Sequence, residues 1–220
     1  MYLKDSFFEN GYQIFENYLE AGMAGQLAKE IIGHMSVAGI SVDDDGIKML
    51  TANGEKLINS VPSVNQFHRR ILTMLQTRIP SLHALKDSAV GVSANAMLAQ
   101  CDHRFRYHFD RHEITAIIYL ESGSGMPLLM YPRIRKDPRA PGSSSPEPER
   151  FCLDTKSPVV VEPHSGRMVV FEGRRTFHGV QAHVLQKDLS ALTPRVSLQF
   201  GFDSQFLTFE GEKYYGRTPQ

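Results

Sequence analysis

Short apolar runs separated by turn residues dominate the chain from Ser88 onward. The runs are rich in β-branched and aromatic residues and are bounded by glycine, proline and polar residues, which is typical of strands. They predict eight strands, at 90–99, 104–109, 114–120, 127–131, 159–161, 168–171, 179–184 and 195–202. Eight short strands indicate a closed or sandwiched β architecture.

The first third of the chain has mostly helical spacing. Residues 12–18 mix aromatic and apolar side chains and predict one short strand. A helix is predicted over 21–35, and a second helix is predicted to begin with Ser63 as its N-cap and to stop at Pro80. The apolar stripe of the second helix recurs at three- and four-residue steps and indicates core packing: Val64, Phe67, Ile71, Leu75 and Ile79.

Residues 133–150 contain four prolines, Gly142 and three serines. Such a composition excludes a central strand or helix and predicts a long exposed loop. The loop is either a lid that orders over a substrate or a passive insertion, and the sequence leaves both open. We expect one domain over 1–220, with helical support over about 1–87 and a β core over about 88–203.

Composition narrows the class of protein. Hydrophobic residues make up 41% and charged residues 22%, as in folded globular proteins, and 24 basic residues balance 24 acidic ones. The balanced charge therefore gives the protein no overall electrostatic attraction to nucleic acid or to an anionic membrane. Cys101 and Cys152 are the two cysteines and lack a C-x-x-C spacing, and no apolar run approaches membrane length. We expect a cytoplasmic protein without a membrane or nucleic-acid partner. The sequence does not indicate an oligomeric state.

Two imidazoles and one carboxylate are candidate metal ligands. His108 and Asp110 are two residues apart in strand-like sequence, so both side chains can point to one face. His178 lies where a later strand is predicted to begin. A His-x-Asp pair alone is weak evidence, and an isolated histidine is more often a core residue. Together the three residues match the facial triad that binds Fe(II) and leaves three adjacent positions for a 2-oxo acid and dioxygen.

The order of motifs resembles that of the 2-oxoglutarate/Fe(II) oxygenase superfamily over roughly 88–203. The motifs are His108-x-Asp110, Thr-Ala-Ile-Ile-Tyr-Leu at 115–120, Pro-His-Ser-Gly-Arg-Met-Val-Val-Phe at 163–171, His178-Gly-Val and Arg195-Val-Ser. The sequence within these motifs is most similar to the prolyl-hydroxylase-like and phytanoyl-CoA-dioxygenase-like branches. The resemblance implies a mainly β, α+β fold: a double-stranded β-helix, or jelly roll, with the N-terminal helices packed outside.

The resemblance also implies cofactors and roles. His108, Asp110 and His178 would hold Fe(II), and 2-oxoglutarate and O2 would be co-substrates. Arg195 would pair with the distal carboxylate of 2-oxoglutarate, with further pocket contacts from Ser197, Tyr119, Asn95 and Thr115. Sixteen residues separate His178 from Arg195, a longer gap than is usual in the superfamily, with 186–193 as the apparent insertion.

The function expected from this resemblance is oxidation of a small molecule, such as hydroxylation of an amino acid or a biosynthetic intermediate. The intact Asp110 favours hydroxylation over halogenation, because related halogenases replace this carboxylate with a small residue. Three arginines flank the predicted metal ligands and could either bind an anionic substrate or be solvated at strand ends: Arg106, Arg111 and Arg174.

Two other functions remain open. One is an AlkB-like demethylase or a prolyl-hydroxylase-like oxygenase that acts on nucleic acid or protein. The AlkB-like type shares Asn95-x-Met and Arg195-x-Ser but has a second arginine near the place of Gly201. A cupin-like metal-binding protein without oxygenase activity would need neither Arg195 nor a 2-oxo acid.

Overall fold

Two antiparallel sheets and four helices make up the described part of the computed structural model, which covers residues 1–44, 47–84, 91–99, 103–104, 107–123, 126–136, 157–182 and 194–204. The helices are α1 (Asp5–Asn10), α2 (Ala21–Ala38), α3 (Gly54–Ser60) and α4 (Pro62–Gln76). The first strands are β1 (Tyr12–Phe15), β2 (Ile40–Asp44), β3 (Ile47–Asn53), β4 (Leu82–Ala84), β5 (Val92–Ala99) and β6 (His103–Arg104). The later strands are β7 (Ile114–Ser122), β8 (Leu128–Tyr131), β9 (Val159–Val161), β10 (Met168–Glu172), β11 (Phe177–Ala182) and β12 (Arg195–Ser204).

The larger sheet has the strand order β1-β10-β7-β12-β5-β3-β2, with β4 paired to the end of β12. The smaller sheet has the order β6-β11-β8-β9. Strands that are neighbours in space are mostly distant in the chain, as in a jelly roll. The pairing of β12 with β7 shifts register between Val196 and Ser197.

Strict alternation along β12 separates a structural face from a functional face. Its even-numbered residues, including Val196, Leu198 and Phe200, pack outward in the core shared with the helices. Its odd-numbered residues, including Arg195 and Ser197, therefore point inward, between the two sheets. The inner space also holds a second apolar cluster drawn from both sheets: Met97, Ile117, Tyr119, Met126, Leu128, Met130, Val161, Val169, Phe171 and Val180.

The strands expected from residue 88 onward correspond to β5 to β12. The predicted strand 104–109 is shorter in the structure, because β6 covers His103–Arg104 and His108 forms an isolated bridge with His178. Residues 183–184 of another predicted strand, and 137–150 of the proline-rich segment, lie outside the described residues.

The N-terminal third contains more strand than its sequence predicts. The hairpin β2–β3 was not expected, since its residues lack clear alternation, and it forms by pairing β3 with β5. The helices α1 and α3 and the strand β4 were also not expected, because each is very short. The expectation that Ser63 caps a helix is wrong: Val61 is the N-cap of α4, and the Ser63 hydroxyl donates to Glu30 Oε2 at 3.3 Å.

The helices of the described residues include none long and apolar enough to cross a membrane.

His68 is an ionisable group inside the helix–sheet core. It lies on α4 and stacks on Phe200, with ring centroids 5.3 Å apart and planes 15° apart. Its ring is also 5.2 Å from that of Phe202. Burial lowers the pKa of His68 to about 4, because a charged imidazole in this apolar contact would lose its hydration.

This shift predicts acid destabilisation that a single substitution should reduce. The unfolded chain binds a proton on His68 below about pH 6.5, whereas the folded protein does so only near pH 4, so stability falls as the pH drops between these values. The contribution is about 3 kcal/mol for a shift of this size. We expect His68→Leu to lose correspondingly less stability between pH 7 and pH 4, measured by urea unfolding. Equal losses in both proteins would contradict this assignment.

Candidate functional site

Backbone hydrogen bonds position the three candidate metal ligands. The His108 N–H donates to the His178 carbonyl at 2.9 Å, and the His178 N–H donates back at 3.0 Å. The Asp110 N–H donates to the Gly173 carbonyl at 3.1 Å. Residues that are far apart in the chain are thus fixed side by side before any side-chain contact is considered.

The ligand atoms of His108, Asp110 and His178 all lie within 4.8 Å of one another. Asp110 Oδ1 is 3.4 Å from His108 Nε2, and Asp110 Oδ2 is 3.6 Å from His178 Nε2. Small side-chain adjustments bring such a set to the bond lengths of a single ion, about 2.1 Å. The predicted triad is therefore assembled in the fold, with His108 as its more exposed member.

The protonation of His178 suits a metal ligand. Its Nδ1 lies 3.0 Å from the Thr176 carbonyl, which fixes the proton on that nitrogen and leaves the Nε2 lone pair facing Asp110. Burial lowers the pKa of His178 to about 4, although the Asp110 carboxylate opposes this effect. The imidazole is therefore neutral at pH 7, as metal binding requires.

Asp110 is held as a carboxylate. Burial acts to raise its pKa, but the nearby imidazoles of His178 and His108 outweigh burial and hold the pKa of Asp110 well below its usual range. The Thr115 hydroxyl donates to Asp110 Oδ2 at 2.6 Å. Thr115, which was expected to contact the co-substrate, orients the Asp110 carboxylate in the structure.

Gly173 makes this arrangement possible by leaving space beside Asp110. A Cβ atom at position 173 would lie 2.5 Å from Thr115 Oγ1 and 2.9 Å from Asp110 Cβ. Any other residue would push the carboxylate or its hydroxyl partner out of place.

Arg195 is a buried cation, only 2% exposed, at one end of the inner space. Its Nη1 contacts the sulfur of Met97 at 3.4 Å, and its Cζ lies 5.0 Å from the centre of the Tyr119 ring. Among the described residues no carboxylate pairs with it, and its Nε has no hydrogen-bond partner. A guanidinium buried in this way is stable only with an anion, so the donor set fits the carboxylate of a bound acid.

Polar neighbours surround Arg195 on the inner face. Ser197 is opposite Asn95 on one side and opposite Tyr119 on the other. The Tyr119 hydroxyl is fully buried and has no hydrogen-bond partner within the described part of the chain. Burial raises the pKa of Tyr119, and the weaker opposing effect of Arg195 leaves the phenol neutral and able to donate. The apparent insertion before Arg195 does not remove its side chain from this group.

Arg174, which was expected to contact substrate, is held by contacts inside the protein. Its side chain is only 2% exposed, and its Nη2 donates to Asp203 Oδ2 at 3.1 Å. Its Nε donates to the Arg111 carbonyl at 2.7 Å. The guanidinium is therefore part of the protein interior and does not face a substrate. Of the other two rim arginines, Arg111 is exposed, and Arg106 lies outside the described residues.

The Arg174–Asp203 pair clamps the turn that follows Asp110. Asp203 Oδ1 accepts the Glu113 N–H at 2.6 Å, and the Glu113 side chain accepts the Ser204 N–H at 3.0 Å. The turn is therefore held at two points: Arg174 binds the Arg111 carbonyl, and Asp203 binds the Glu113 N–H. Sequence analysis missed this clamp, although Asp203 follows the apolar Phe200-Gly-Phe on the same face as Arg195 and so offered a signal.

His112 fills the space over Gly201. It is buried between the two ends of the clamp, and a Cβ at position 201 would lie 2.5 Å from its ring. An arginine in the place of Gly201, as in AlkB-like enzymes, would have no room here.

No protein-family model matches the sequence, and no curated protein sequence matches it. Solved structures do match. A prolyl-4-hydroxylase from Pseudomonas putida is 18% identical, with 91% of this chain and 96% of that chain covered and a TM-score of 0.56. The epimerase SnoN in complex with Fe3+, alpha-ketoglutarate and nogalamycin RO is 15% identical, with coverages of 90% and 80% and a TM-score of 0.63. A Trichoplax adhaerens prolyl hydroxylase with a hypoxia-inducible-factor peptide is 15% identical, with coverages of 93% and 89% and a TM-score of 0.52.

The chain has the fold of these solved structures. The double-stranded β-helix expected from the sequence is therefore confirmed. Its larger sheet is formed by β5, β12, β7 and β10 and its smaller sheet by β6, β11, β8 and β9, with β1, β2, β3 and β4 as additions to the larger one. At these identities the likeness establishes the fold, and the roles of the side chains rest on the geometry above.

The clamp predicts a large loss of stability in Arg174→Met. Removing the cation leaves the Asp203 carboxylate buried without its ionic partner, at a cost of about 3–5 kcal/mol. The double variant Arg174→Met/Asp203→Leu should recover much of this loss, because it removes both buried charges. Urea unfolding at pH 7 measures both variants.

The matched control is Arg78→Met, which breaks the exposed pair between Arg78 and Asp5. It should cost far less, because solvent screens exposed charges. Similar losses in Arg78→Met and Arg174→Met would contradict the importance of burial.

Proposed function

We propose that this protein is a 2-oxoglutarate-dependent Fe(II) dioxygenase that hydroxylates or otherwise oxidises a small molecule. The observation that carries the proposal is the presence of two features that face the space between the two sheets. A His-Asp-His set has its ligand atoms within 4.8 Å of one another, and Arg195 is a buried cation without a carboxylate partner among the described residues.

The triad fits Fe(II) by its chemistry. Two neutral imidazoles and one carboxylate leave three adjacent coordination positions open, which suits a two-point ligand and dioxygen. Bound there, Fe(II), 2-oxoglutarate and O2 supply the oxidising chemistry, and 2-oxoglutarate is converted to succinate and CO2.

The residues around Arg195 would bind and orient the co-substrate. The guanidinium pairs with the distal carboxylate, and the Tyr119 hydroxyl and Ser197 donate further hydrogen bonds. Ile117 and Phe171 line the inner space with apolar surface, which excludes water and strengthens the ionic contact. Asn95 is opposite Ser197 in the strand register and so lies at the same end of the pocket.

Metal binding depends on how firmly Asp110 is held. Thr115 fixes one of its carboxylate oxygens, and the bond to the Gly173 carbonyl fixes its backbone. The carboxylate therefore faces the two imidazoles without competing conformations, and its presence favours hydroxylation over halogenation.

The alternative functions differ in what they require of this site. An AlkB-like demethylase is disfavoured by the His112 ring over Gly201. A cupin-like protein without oxygenase activity gives no reason for burying Arg195 beside Met97 and Tyr119. A prolyl-hydroxylase-like activity on a peptide remains the second candidate, since one similar structure contains a peptide.

Arg195→Met should abolish tight binding of 2-oxoglutarate while leaving the metal in place. Loss of a buried charge-assisted contact costs about 2–5 kcal/mol, or roughly 30- to several-thousand-fold in affinity. Calorimetry with Mn(II) in place of iron measures this affinity without turnover. Unchanged affinity would remove Arg195 from the pocket. Arg78→Met is a suitable control, because Arg78 pairs with Asp5 at the surface.

Succinate release tests the triad. We expect His108→Ala to abolish 2-oxoglutarate-dependent succinate formation and to weaken metal binding, since His108 supplies one of three ligands. His164→Ala is the control, because His164 is an exposed histidine of the described chain. Succinate formation that persists in His108→Ala would refute the proposed activity.

A further inference from the structure

Five uncharged polar side chains form a continuous surface beside the co-substrate pocket. This surface, here called the polar floor, lies on the inner face of β3, β5 and β12. Its members are Thr51, Asn53, Ser93, Asn95 and Gln199.

The strand register places these residues together. Across β3 and β5, Thr51 is opposite Asn95 and Asn53 is opposite Ser93. Across β5 and β12, Ser93 is opposite Gln199. Directly opposed residues of an antiparallel pair point to the same face, so the five side chains form two adjacent rows. Asn95 Nδ2 donates to Ser93 Oγ at 3.4 Å and so links the rows.

The polar floor continues into the proposed active site. Gln199 is opposite Ile117 of β7, and Asn95 is opposite Ser197, the neighbour of Tyr119. Neighbouring strands are about 4.8 Å apart. Gln199 on β12 therefore lies one strand, and Asn95 on β5 two strands, from β7, which carries Tyr119.

Burial decreases from the pocket outward. Ser197 is buried, Asn95 and Thr51 are half-buried, and Asn53 is exposed. In the described chain the smaller sheet ends at β6, whereas the larger sheet continues beyond β5 with β3 and β2. The floor is therefore reachable from solvent.

The chemistry of the polar floor disfavours a charged ligand. It contains hydroxyl and carboxamide groups, which both donate and accept hydrogen bonds. Nearby charges are already engaged: Asp203 with Arg174, and Arg195 with the co-substrate under the proposed function. The described side chains of β3, β5 and β12 include no cation other than Arg195, so a carboxylate or phosphate bound there would lose hydration without gaining an ionic partner from these strands. The expectation that arginines bind an anionic substrate also has less support, because Arg174 is buried in its contact with Asp203.

We propose that the polar floor binds the part of the substrate beyond the reacting carbon, and that this part is uncharged and carries hydroxyl or amide groups. This inference rests on the proposed function, since it assumes that the reacting carbon lies at the triad. It narrows the expected substrates from amino acids and biosynthetic intermediates in general to neutral members of those classes.

The test uses matched pairs of probes that differ in charge. N-acetyl amino acid amides are compared with N-acetyl amino acids, and methyl glycosides with sugar phosphates. Binding is measured by ligand-observed NMR on the protein loaded with Zn(II) and 2-oxoglutarate, which requires no turnover. Neutral members should bind about tenfold or more tightly than their charged partners, a factor typical of one favourable contact replaced by an unpaired charge.

Two variants of the floor should weaken binding of the neutral probes. Gln199→Leu and Thr51→Val each remove hydrogen-bonding groups with little change in volume, and each should reduce affinity about 5- to 20-fold. Gln66→Leu, on the exposed face of α4, should change nothing. The affinity for 2-oxoglutarate should be the same in all of these proteins.

The outcomes separate this inference from the proposed function. Preference for the charged probes, no preference within any pair, or unchanged binding in both floor variants would overturn the polar floor as a subsite. Failure of the wild-type protein to bind 2-oxoglutarate with a metal would instead overturn the proposed function.

Discussion

The antiparallel bridge between His108 and His178 is the contact on which the site depends. Its two backbone hydrogen bonds, at 2.9 and 3.0 Å, place the imidazoles next to each other with ring centroids 4.5 Å apart. Backbone geometry fixes side-chain direction in a sheet, so both rings point into the space between the sheets. Asp110 then needs one further bond, to Gly173, to complete the set. The candidate metal site therefore depends on strand pairing more than on side-chain packing.

The inner face of β12 connects this centre with the rest of the molecule. Along one strand it presents Arg195, Ser197 and Gln199 to the inner space and Asp203 to the clamp, while the residues between them pack on the helices. Such a strand must be buried on both faces and yet carry polar residues on one of them. The cost of burying those groups is offset where each finds a partner: Arg174 for Asp203 and, in the proposed function, a carboxylate for Arg195.

Much of the β core and the triad was predictable, because period-two alternation and fixed motif spacing are local signals. His108, Asp110 and His178 were predicted from the combined order and spacing of several motifs, since none of these residues is sufficient evidence alone. The hairpin β2–β3 was not predictable, since its strands are stabilised by pairing with β5 and not by their own pattern. The same limit applies to Arg174 and Asp203. Their contact joins positions 29 residues apart through the tertiary fold, and an arginine at a strand end is equally typical of a solvated surface.

The distance along the chain between the two bridged histidines also affects how the protein folds. Strands β7, β8, β9 and β10 lie between the His108 segment and β11 along the chain, and β12 pairs in the larger sheet between β7 and β5. Contacts of such long range form late and slowly, because the chain must close large loops before they contribute. A metal ion finds its three ligands together only when the barrel is nearly complete. Iron would therefore stabilise the completed fold and raise the barrier to unfolding. It would not guide the first steps of folding.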